Sequence, residues 1–163
     1  MIPTKPLDVA TCQRLFASPS WSKKIIVTPI GCHEWTARLN RSGYGSQTLT
    51  IPGESKRVVL AHRVAWVGHH GVDIPAGMLL DHLCRNRACV NPAHLDVVTP
   101  RTNAVRGIGP TAENARKTHC NKGHEFIPEN TYVRTGSAHR SCRACQRETV
   151  ARYQARKKAE AAA

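Results

Sequence analysis

A run of metal-binding residue types between positions 81 and 95 constrains this chain more than any other feature. Cys84, Cys89 and His94 follow one another at intervals of five residues. Two thiols and an imidazole at this spacing can fold round one Zn²⁺, because zinc takes nitrogen and sulfur ligands in a tetrahedron. Such a loop would hold His82, two residues before the first thiol, in a fixed position and leave its imidazole free for chemistry.

The run from Asp81 to Asn103 resembles the His-Cys box of homing endonucleases, a branch of the ββα-metal (HNH-type) nucleases. Counted from His82, the offsets +2, +7, +12 and +21 fit that pattern, and they are occupied by Cys84, Cys89, His94 and Asn103. Upstream residues are similar to phage-type HNH endonucleases, namely Gly31-Cys32, Trp35, Gly43-Tyr44-Gly45 and Ala61-His62-Arg63. The resemblance extends over about residues 31–107.

The resemblance implies an α+β fold, with a zinc-stapled ββα-metal nuclease unit that includes an N-terminal β-hairpin and helix. We expect this nuclease domain over residues 1–110 and a basic, zinc-binding DNA-contact module over residues 111–163. The resemblance assigns the fourth zinc ligand to Cys32, for which a buried core thiol is the alternative. Ordinary HNH enzymes have an asparagine near the position of His94, but the +12 offset and the two thiols favour zinc here.

The residues next to this loop suit phosphodiester hydrolysis. His82 can take a proton from water, because a neutral imidazole titrates near physiological pH. Asp81 and Asn103 offer hard oxygen ligands for Mg²⁺ or Mn²⁺. The resemblance implies that one such ion acts on the scissile phosphate and the leaving group. His62 has two interpretations, a core-edge histidine with a satisfied hydrogen bond or an active-site residue.

The tail contains a second set of candidate zinc ligands, Cys120, His124, Cys142 and Cys145. Their spacing is that of two zinc knuckles and predicts a Cys₃His structural site. His119 and His139 are alternatives to His124, which is favoured because a CxxxH turn can present both of its ligands together. Disulfides are the alternative for the cysteines, but interleaved histidines favour reduced, metal-binding thiols in a cytosol.

The charge of the chain points to a polyanionic partner. A formal net charge of +13 and a pI near 10.0 favour nucleic acid over an anionic membrane surface. No stretch approaches the ~18 apolar residues that span a bilayer, and the N-terminus lacks a secretion signal, so we expect a cytoplasmic protein without membrane contact. The candidate DNA contacts are Arg38, Arg41, Lys56, Arg57, Arg143 and Arg147. Each has a solvated surface charge as its alternative, and Arg57 is also predicted to reach the scissile phosphate.

The periodicity of apolar residues and the turn residues predict the local structure. Helices are expected over residues 8–17, 60–70, from Pro100 onward and over 143–158. Residues 34–60 are hairpin-like, with strands over 44–51 and 57–60 around the turn Pro52-Gly53-Glu54-Ser55. Strands are also expected over 78–80 and 95–98, with a hairpin-like segment over 126–139.

Together these features predict a metal-dependent DNA endonuclease of the homing or phage HNH type, with two structural zinc ions and one catalytic Mg²⁺ or Mn²⁺. The alternative is a non-catalytic zinc-finger protein that regulates or organises DNA. The presence of Asp81, His82 and Asn103 together favours the enzyme. Aromatic residues make up 5% of the chain, which argues against an RNA target read by stacking. Enzymes of this kind often act as dimers, so the resemblance makes a homodimer an expectation.

Overall fold

A computed structural model describes residues 6–51, 53–135 and 140–162. The chain forms two compact units, Met1–Asn103 and Ala104–Ala163. The domain limit at residue 110 stays a prediction. No helix among the described residues combines the length and the apolar character needed to cross a bilayer.

The first unit alternates short helices with antiparallel ribbons, and α4 runs across its C-terminal limit. Its elements are α1 (Val9–Phe16), α2 (Pro19–Ser22), β1 (Ile25–Val27), β2 (His33–Trp35), β3 (Ser46–Leu49), β4 (Arg57–Leu60), α3 (Ala61–His70), β5 (Leu79–His82), a 3₁₀ turn (Pro92–His94), β6 (Leu95–Val98) and α4 (Pro100–Arg106). The second unit contains α5 (Pro110–Arg116), a 3₁₀ turn (Pro128–Asn130), β7 (Thr131–Val133), β8 (Arg140–Cys142) and α6 (Arg143–Ala161). Among the described residues, the strands pair as β1–β2, β3–β4, β5–β6 and β7–β8.

The two predicted N-terminal helices are confirmed, and their ends have the expected chemistry. The Asp8 carboxylate accepts a hydrogen bond of 2.7 Å from the Thr11 amide and so caps α1. Gly71 ends α3 in the left-handed conformation, with φ at 70°, which glycine adopts without steric cost. The Gly71 amide donates to the Val67 carbonyl at 2.9 Å, as expected for this kind of helix end.

The core of the first unit is built on α1, α3 and two tryptophans. The rings of Trp21 and Trp35 lie 4.7 Å apart between centroids, and both side chains are buried. Val64 and Val67 of α3 are fully buried against them. Each such side chain stabilises the fold by about 1.5–3 kcal/mol relative to an exposed one. Cys12 is also fully buried in this core, and desolvation raises the pKa of its thiol to about 11.

The predicted hairpin strands, 44–51 and 57–60, contain β3 and β4, which pair with each other. At the start of the hairpin-like segment 34–60, Trp35 belongs to a separate ribbon and pairs with Ile25 of β1. The reason is a tight turn, in which the Gly31 amide donates to the Thr28 carbonyl at 2.9 Å and Gly31 has a φ of 77°. The remaining hairpin is present as β3 and β4, while Pro52 of its turn lies outside the described residues.

The predicted order of strand, loop, strand and helix is confirmed around His82. Strand β5 pairs with β6 so that His82 is opposite Leu95. The helix that follows, α4, begins at Pro100, and the Thr99 hydroxyl accepts from the Thr102 amide at 3.1 Å. This ββα arrangement carries His82 at the end of one strand, directly before the loop that contains the metal-ligand residues.

A substitution at Gly45 tests how tightly the core is packed next to this arrangement. A Cβ at this position would lie 2.7 Å from Trp35 Cδ1 and 3.1 Å from the Ala61 Cβ. Gly45→Ala should therefore lower the free energy of unfolding by about 1–3 kcal/mol through overpacking. The comparison is Gly109→Ala in the second unit, where a Cβ meets nothing within 4 Å and only the loss of a glycine N-cap at the start of α5 is expected. Chemical denaturation of both variants checks this, and equal midpoints would contradict the packing described.

Candidate functional site

Four ligand residues converge in the first unit. The ligand atoms of Cys32, Cys84, Cys89 and His94 all lie within 4.8 Å of one another. His94 Nδ1 is 3.5 Å from Cys32 Sγ and 3.7 Å from Cys89 Sγ. Tetrahedral zinc requires about 3.6 Å between a nitrogen and a sulfur ligand, as the Zn–N and Zn–S bond lengths dictate. This cluster can therefore hold a zinc ion, and Cys32 lies with the three ligands of the loop.

Backbone hydrogen bonds fix the ligand loop against β2. The Trp35 amide donates to the Ala88 carbonyl at 2.9 Å, and the Val90 amide donates to the His33 carbonyl at 2.7 Å. The loop thus continues the ribbon of β1 and β2. Burial raises the pKa of the Cys89 thiol to about 12. A bound cation would oppose that shift, because it stabilises the thiolate.

His82 is held by the same loop. Its side chain is only 6% exposed, and its Nε2 lies 3.0 Å from the Cys89 carbonyl oxygen. A carbonyl only accepts hydrogen bonds, so Nε2 carries the hydrogen and Nδ1 keeps a lone pair. Burial lowers the pKa of His82 and outweighs the opposing effects of the Cys89 carbonyl and the Asp81 carboxylate. The imidazole is therefore neutral at physiological pH, with one nitrogen able to accept a proton.

Two rings surround His82: that of His62, for which an active-site residue is one of the two interpretations from the sequence, and that of Tyr44, which the sequence does not place at the site. The His62 ring meets it edge-on at 4.7 Å, and Tyr44 lies 5.7 Å away, between centroids. His62 is 5% exposed, and its Nδ1 has no hydrogen-bond partner among the described residues. The predicted satisfied hydrogen bond is therefore wrong for Nδ1. Burial, followed by the proximity of His82 and Arg63, lowers the pKa of His62 to about 3.

The predicted oxygen ligands lie on two elements of the ββα unit. Asp81 is 3% exposed on β5, and its Oδ1 accepts from Arg85 Nη1 at 2.6 Å. Arg85 has a φ of 58°, an uncommon left-handed conformation for a residue other than glycine. Asn103 is half-buried on α4, and its backbone amide donates to the Thr99 carbonyl at 3.0 Å. Binding of a catalytic ion by Asp81 and Asn103 stays a prediction.

The cations beside His82 are not those selected from the sequence. Arg57 Nη2 donates to the Pro6 carbonyl at 2.6 Å, so Arg57 faces the chain before α1. Its contact with the scissile phosphate stays a prediction. Arg85 and Arg87 are the arginines whose charge acts on His82, and the guanidinium of Arg87 lies 5.6 Å from the Tyr44 ring centroid. Both arginines lie between the ligands Cys84 and Cys89 in the sequence, and this position could have identified them as neighbours of His82. The other predicted contacts in this unit are all exposed, namely Arg38, Arg41 and Lys56.

The second unit contains a second cluster of the same kind. The ligand atoms of Cys120, His124, Cys142 and Cys145 lie within 4.8 Å of one another. Cys120 Sγ is 3.6 Å from Cys145 Sγ, and His124 Nδ1 is 3.4 Å from Cys145 Sγ. These distances also fit tetrahedral zinc. His119, an alternative ligand, instead has its Nδ1 2.9 Å from the Thr118 hydroxyl, and His139 lies outside the described residues.

The start of α6 favours the thiolate of Cys142. Its Sγ accepts from the Cys145 amide at 3.5 Å at the N-terminus of this helix. This hydrogen bond is the largest cause that lowers the pKa of the Cys142 thiol to about 6. Cys142 and Cys145 therefore attach the first turn of α6 to the second cluster.

Comparison with known proteins identifies the family around the first cluster. Residues 59–105 match the family model described as HNH endonuclease. Protein 2.8 of Escherichia phage T7 is 32% identical over 108 residues, which are 66% of each chain. Protein 7.7 of the same phage is 33% identical over 73 residues, 45% of this chain and 52% of the phage protein. "Uncharacterized gene 5.3 protein" of Enterobacteria phage T3 is 33% identical over 81 residues, 48% of this chain and 78% of that protein. No solved structure matches.

Metal content tests the two clusters directly. Protein purified without a chelator should contain two zinc ions per chain by elemental analysis, one for each cluster. Cys84→Ser should lose one zinc and destabilise the first unit, because structural zinc contributes folding free energy. Cys12→Ala is the control, since Cys12 lies in the apolar core outside both clusters and should keep both ions. A parent protein with one zinc or none would contradict the assignment.

Proposed function

We propose that this chain, a member of the HNH endonuclease family through residues 59–105, is a metal-dependent DNA endonuclease with His82 as its general base. The observation that supports this proposal most is the hydrogen bond between His82 Nε2 and the Cys89 carbonyl. It fixes both the orientation of the ring and the nitrogen that carries the hydrogen. Nδ1 is therefore available to take a proton from the attacking water.

The surroundings of His82 suit a general base better than a structural histidine. A catalytic base must be unprotonated before the reaction, and burial provides this by lowering the pKa of His82. The edge-on contact with His62 limits rotation of the ring. A positioned base of this kind contributes about 10²–10⁴-fold to a rate.

Asp81 and Asn103 would hold the catalytic ion. Their carboxylate and amide oxygens form a donor set that suits Mg²⁺ or Mn²⁺ and not a thiol-binding metal. A bound ion supplies Lewis-acid stabilisation of the charge that develops on the phosphate and on the departing 3′-oxygen. Arg85 neutralises and orients the Asp81 carboxylate through its hydrogen bond of 2.6 Å.

Arg87 is better placed than Arg57 to contact the phosphate next to the cleaved bond. It lies in the ligand loop, with its guanidinium on the Tyr44 ring beside His82 and one hydrogen bond of 3.1 Å to the Ser42 carbonyl. A guanidinium offers five donors, so this bond leaves others for a phosphate oxygen. Arg57 uses Nη2 on the Pro6 carbonyl instead.

The relatives favour a phage-type enzyme over an intron-homing one, because the compared proteins come from phages T7 and T3. On this proposal the protein acts on double-stranded DNA in the cytoplasm of a bacterial host. The second unit is a basic, zinc-stapled DNA-contact module. A non-catalytic DNA-binding protein is the competing function, and it gives no reason for a buried, neutral His82 with a fixed tautomer.

Two substitutions test the roles of His82 and Asn103. His82→Ala should reduce cleavage of supercoiled plasmid in Mg²⁺ by about 10²–10⁴-fold while both zinc ions and the fold are retained. Added Mg²⁺ should not restore the rate, because Asp81 and Asn103 are unchanged. Asn103→Ala should respond differently, with part of the rate recovered at higher Mg²⁺ or Mn²⁺, since its defect lies in metal binding.

Zinc content, melting temperature and cleavage are measured on the same preparation. If His82 is only structural, its substitution should remove zinc or unfold the first unit, and activity should be lost with it. A His82→Ala protein that cuts near the parental rate would end the catalytic assignment. A parent protein that binds plasmid and never nicks it would favour the non-catalytic alternative.

A further inference from the structure

Helix α6 has no packing role over most of its length. It extends over 19 residues, Arg143–Ala161, or about 28 Å at 1.5 Å per residue. Its first turn is attached to the second cluster by Cys142 and Cys145, and every described side chain from Gln146 onward is exposed. Packing against the core of its own unit therefore does not explain the exposed part of this helix.

The charges of α6 are divided between two faces. At 100° per residue, one face, here called the basic stripe, carries Arg143, Arg147, Val150, Gln154, Lys157 and Lys158, with Ala161 at its end. No acidic residue lies on the stripe. Both acidic residues of the helix lie away from the stripe. Glu148, about 40° from Arg152, bonds Lys122 at 2.6 Å, and Glu160 lies 3.4 Å from Arg156 and 3.6 Å from Lys157 at the edge of the stripe. The opposite face carries Arg152 and Arg156 beside Cys145.

We infer that α6 lies in the major groove of duplex DNA with the basic stripe toward the bases. This inference rests on the proposed function, because it adds a sequence-reading element to an enzyme that cuts DNA. Arg147 and Gln154 lie near the middle of the stripe, two turns apart, and would contact base edges. Lys157 and Lys158 lie on either side of its centre, where they would contact phosphates of the two strands.

The size and chemistry of the stripe fit this groove. An α-helix with side chains is about 10–12 Å wide, and the major groove of B-DNA is about 12 Å wide. Arginine and glutamine are suited to the edges of guanine and adenine, where each can form two hydrogen bonds. Val150 is 53% exposed between them and can contact a thymine methyl group. The stripe thus combines base-reading and phosphate-binding side chains.

A membrane surface does not fit the same helix. The large apolar side chains exposed on α6 are Val150 and Tyr153, and three residues of separation put them about 60° apart, without a continuous apolar face. An A-form RNA duplex is also a poor partner, since its major groove is too narrow and deep for a helix. The lack of a continuous apolar face and the dimensions of the grooves therefore favour B-form DNA.

The test compares two charge-matched double variants of the full chain. Arg147→Gln with Lys158→Gln removes two cations from the stripe, and neither residue forms an ion pair within the described part of the chain. Arg152→Gln with Arg156→Gln removes two cations from the opposite face; it also breaks the Arg156–Glu160 pair and leaves Glu160 with Lys157. Glutamine keeps a high helix propensity, so both variants should retain α6. Arg143 is left unchanged because its Nε donates to the Thr131 carbonyl at 3.3 Å.

Binding of a mixed-sequence 30-base-pair DNA duplex is measured by fluorescence anisotropy over a range of salt, without added divalent cation so that no cleavage occurs. The stripe variant should bind at least tenfold more weakly. Its salt slope should be flatter by about 0.9 for each phosphate that the variant no longer neutralises. The opposite-face variant should bind within about threefold of the parent. Zinc content and circular dichroism confirm that both variants are folded.

Equal losses of affinity in the two variants would overturn the inference, because they would show a diffuse charge effect without a docked face. Unchanged binding by the stripe variant would overturn it as well. An RNA duplex bound as tightly as DNA, with the same dependence on the stripe, would contradict groove insertion. Plasmid cleavage by the parent is scored separately, so a failure of this inference is distinguished from a failure of the nuclease proposal.

Discussion

The first unit depends on Cys89, which connects the ligand cluster to the buried histidine. Its thiol lies with those of Cys32 and Cys84 around His94, and its carbonyl accepts from His82 Nε2 at 3.0 Å. The neighbouring residues on each side, Ala88 and Val90, bond to β2. A metal held by this cluster would join positions 62 residues apart and keep the acceptor of His82 in place. Because the core is small, a metal ion in this cluster would both stabilise the fold and keep the site in its geometry.

Local chemistry explains what the sequence predicts correctly. The intervals between Cys84, Cys89 and His94 are short, so the loop can bring them together whatever the rest of the chain does. The same holds for Cys120 with His124 and for Cys142 with Cys145. Helix ends are local too, since Asp8, Gly71 and Thr99 each satisfy backbone groups within four residues. The ββα order and the ligands within each short stretch are therefore predictable locally, whereas Cys32, 62 residues from His94, is assigned to the first cluster by the family resemblance.

Contacts between distant residues are what the sequence does not predict. His62 and Tyr44 reach His82 only because α3 and the segment before β3 pack beside β5, and no local pattern encodes that arrangement. The turn at Gly31 lets β2 pair with β1. The sequence pattern alone is equally compatible with β2 as part of the following hairpin. Arg57 occupies the expected strand, but its long side chain turns toward Pro6, a choice set by tertiary packing.

The role proposed for His82 requires that the loop hold its hydrogen on Nε2 and leave Nδ1 as the base. Nitrogen NMR of ¹⁵N-labelled histidine distinguishes the two tautomers of a neutral imidazole. In the zinc-loaded protein at neutral pH, His82 should show a protonated Nε2 and an unprotonated Nδ1, assigned by comparison with His82→Ala. A His82 with its hydrogen on Nδ1, or one that is doubly protonated at neutral pH, would contradict the account.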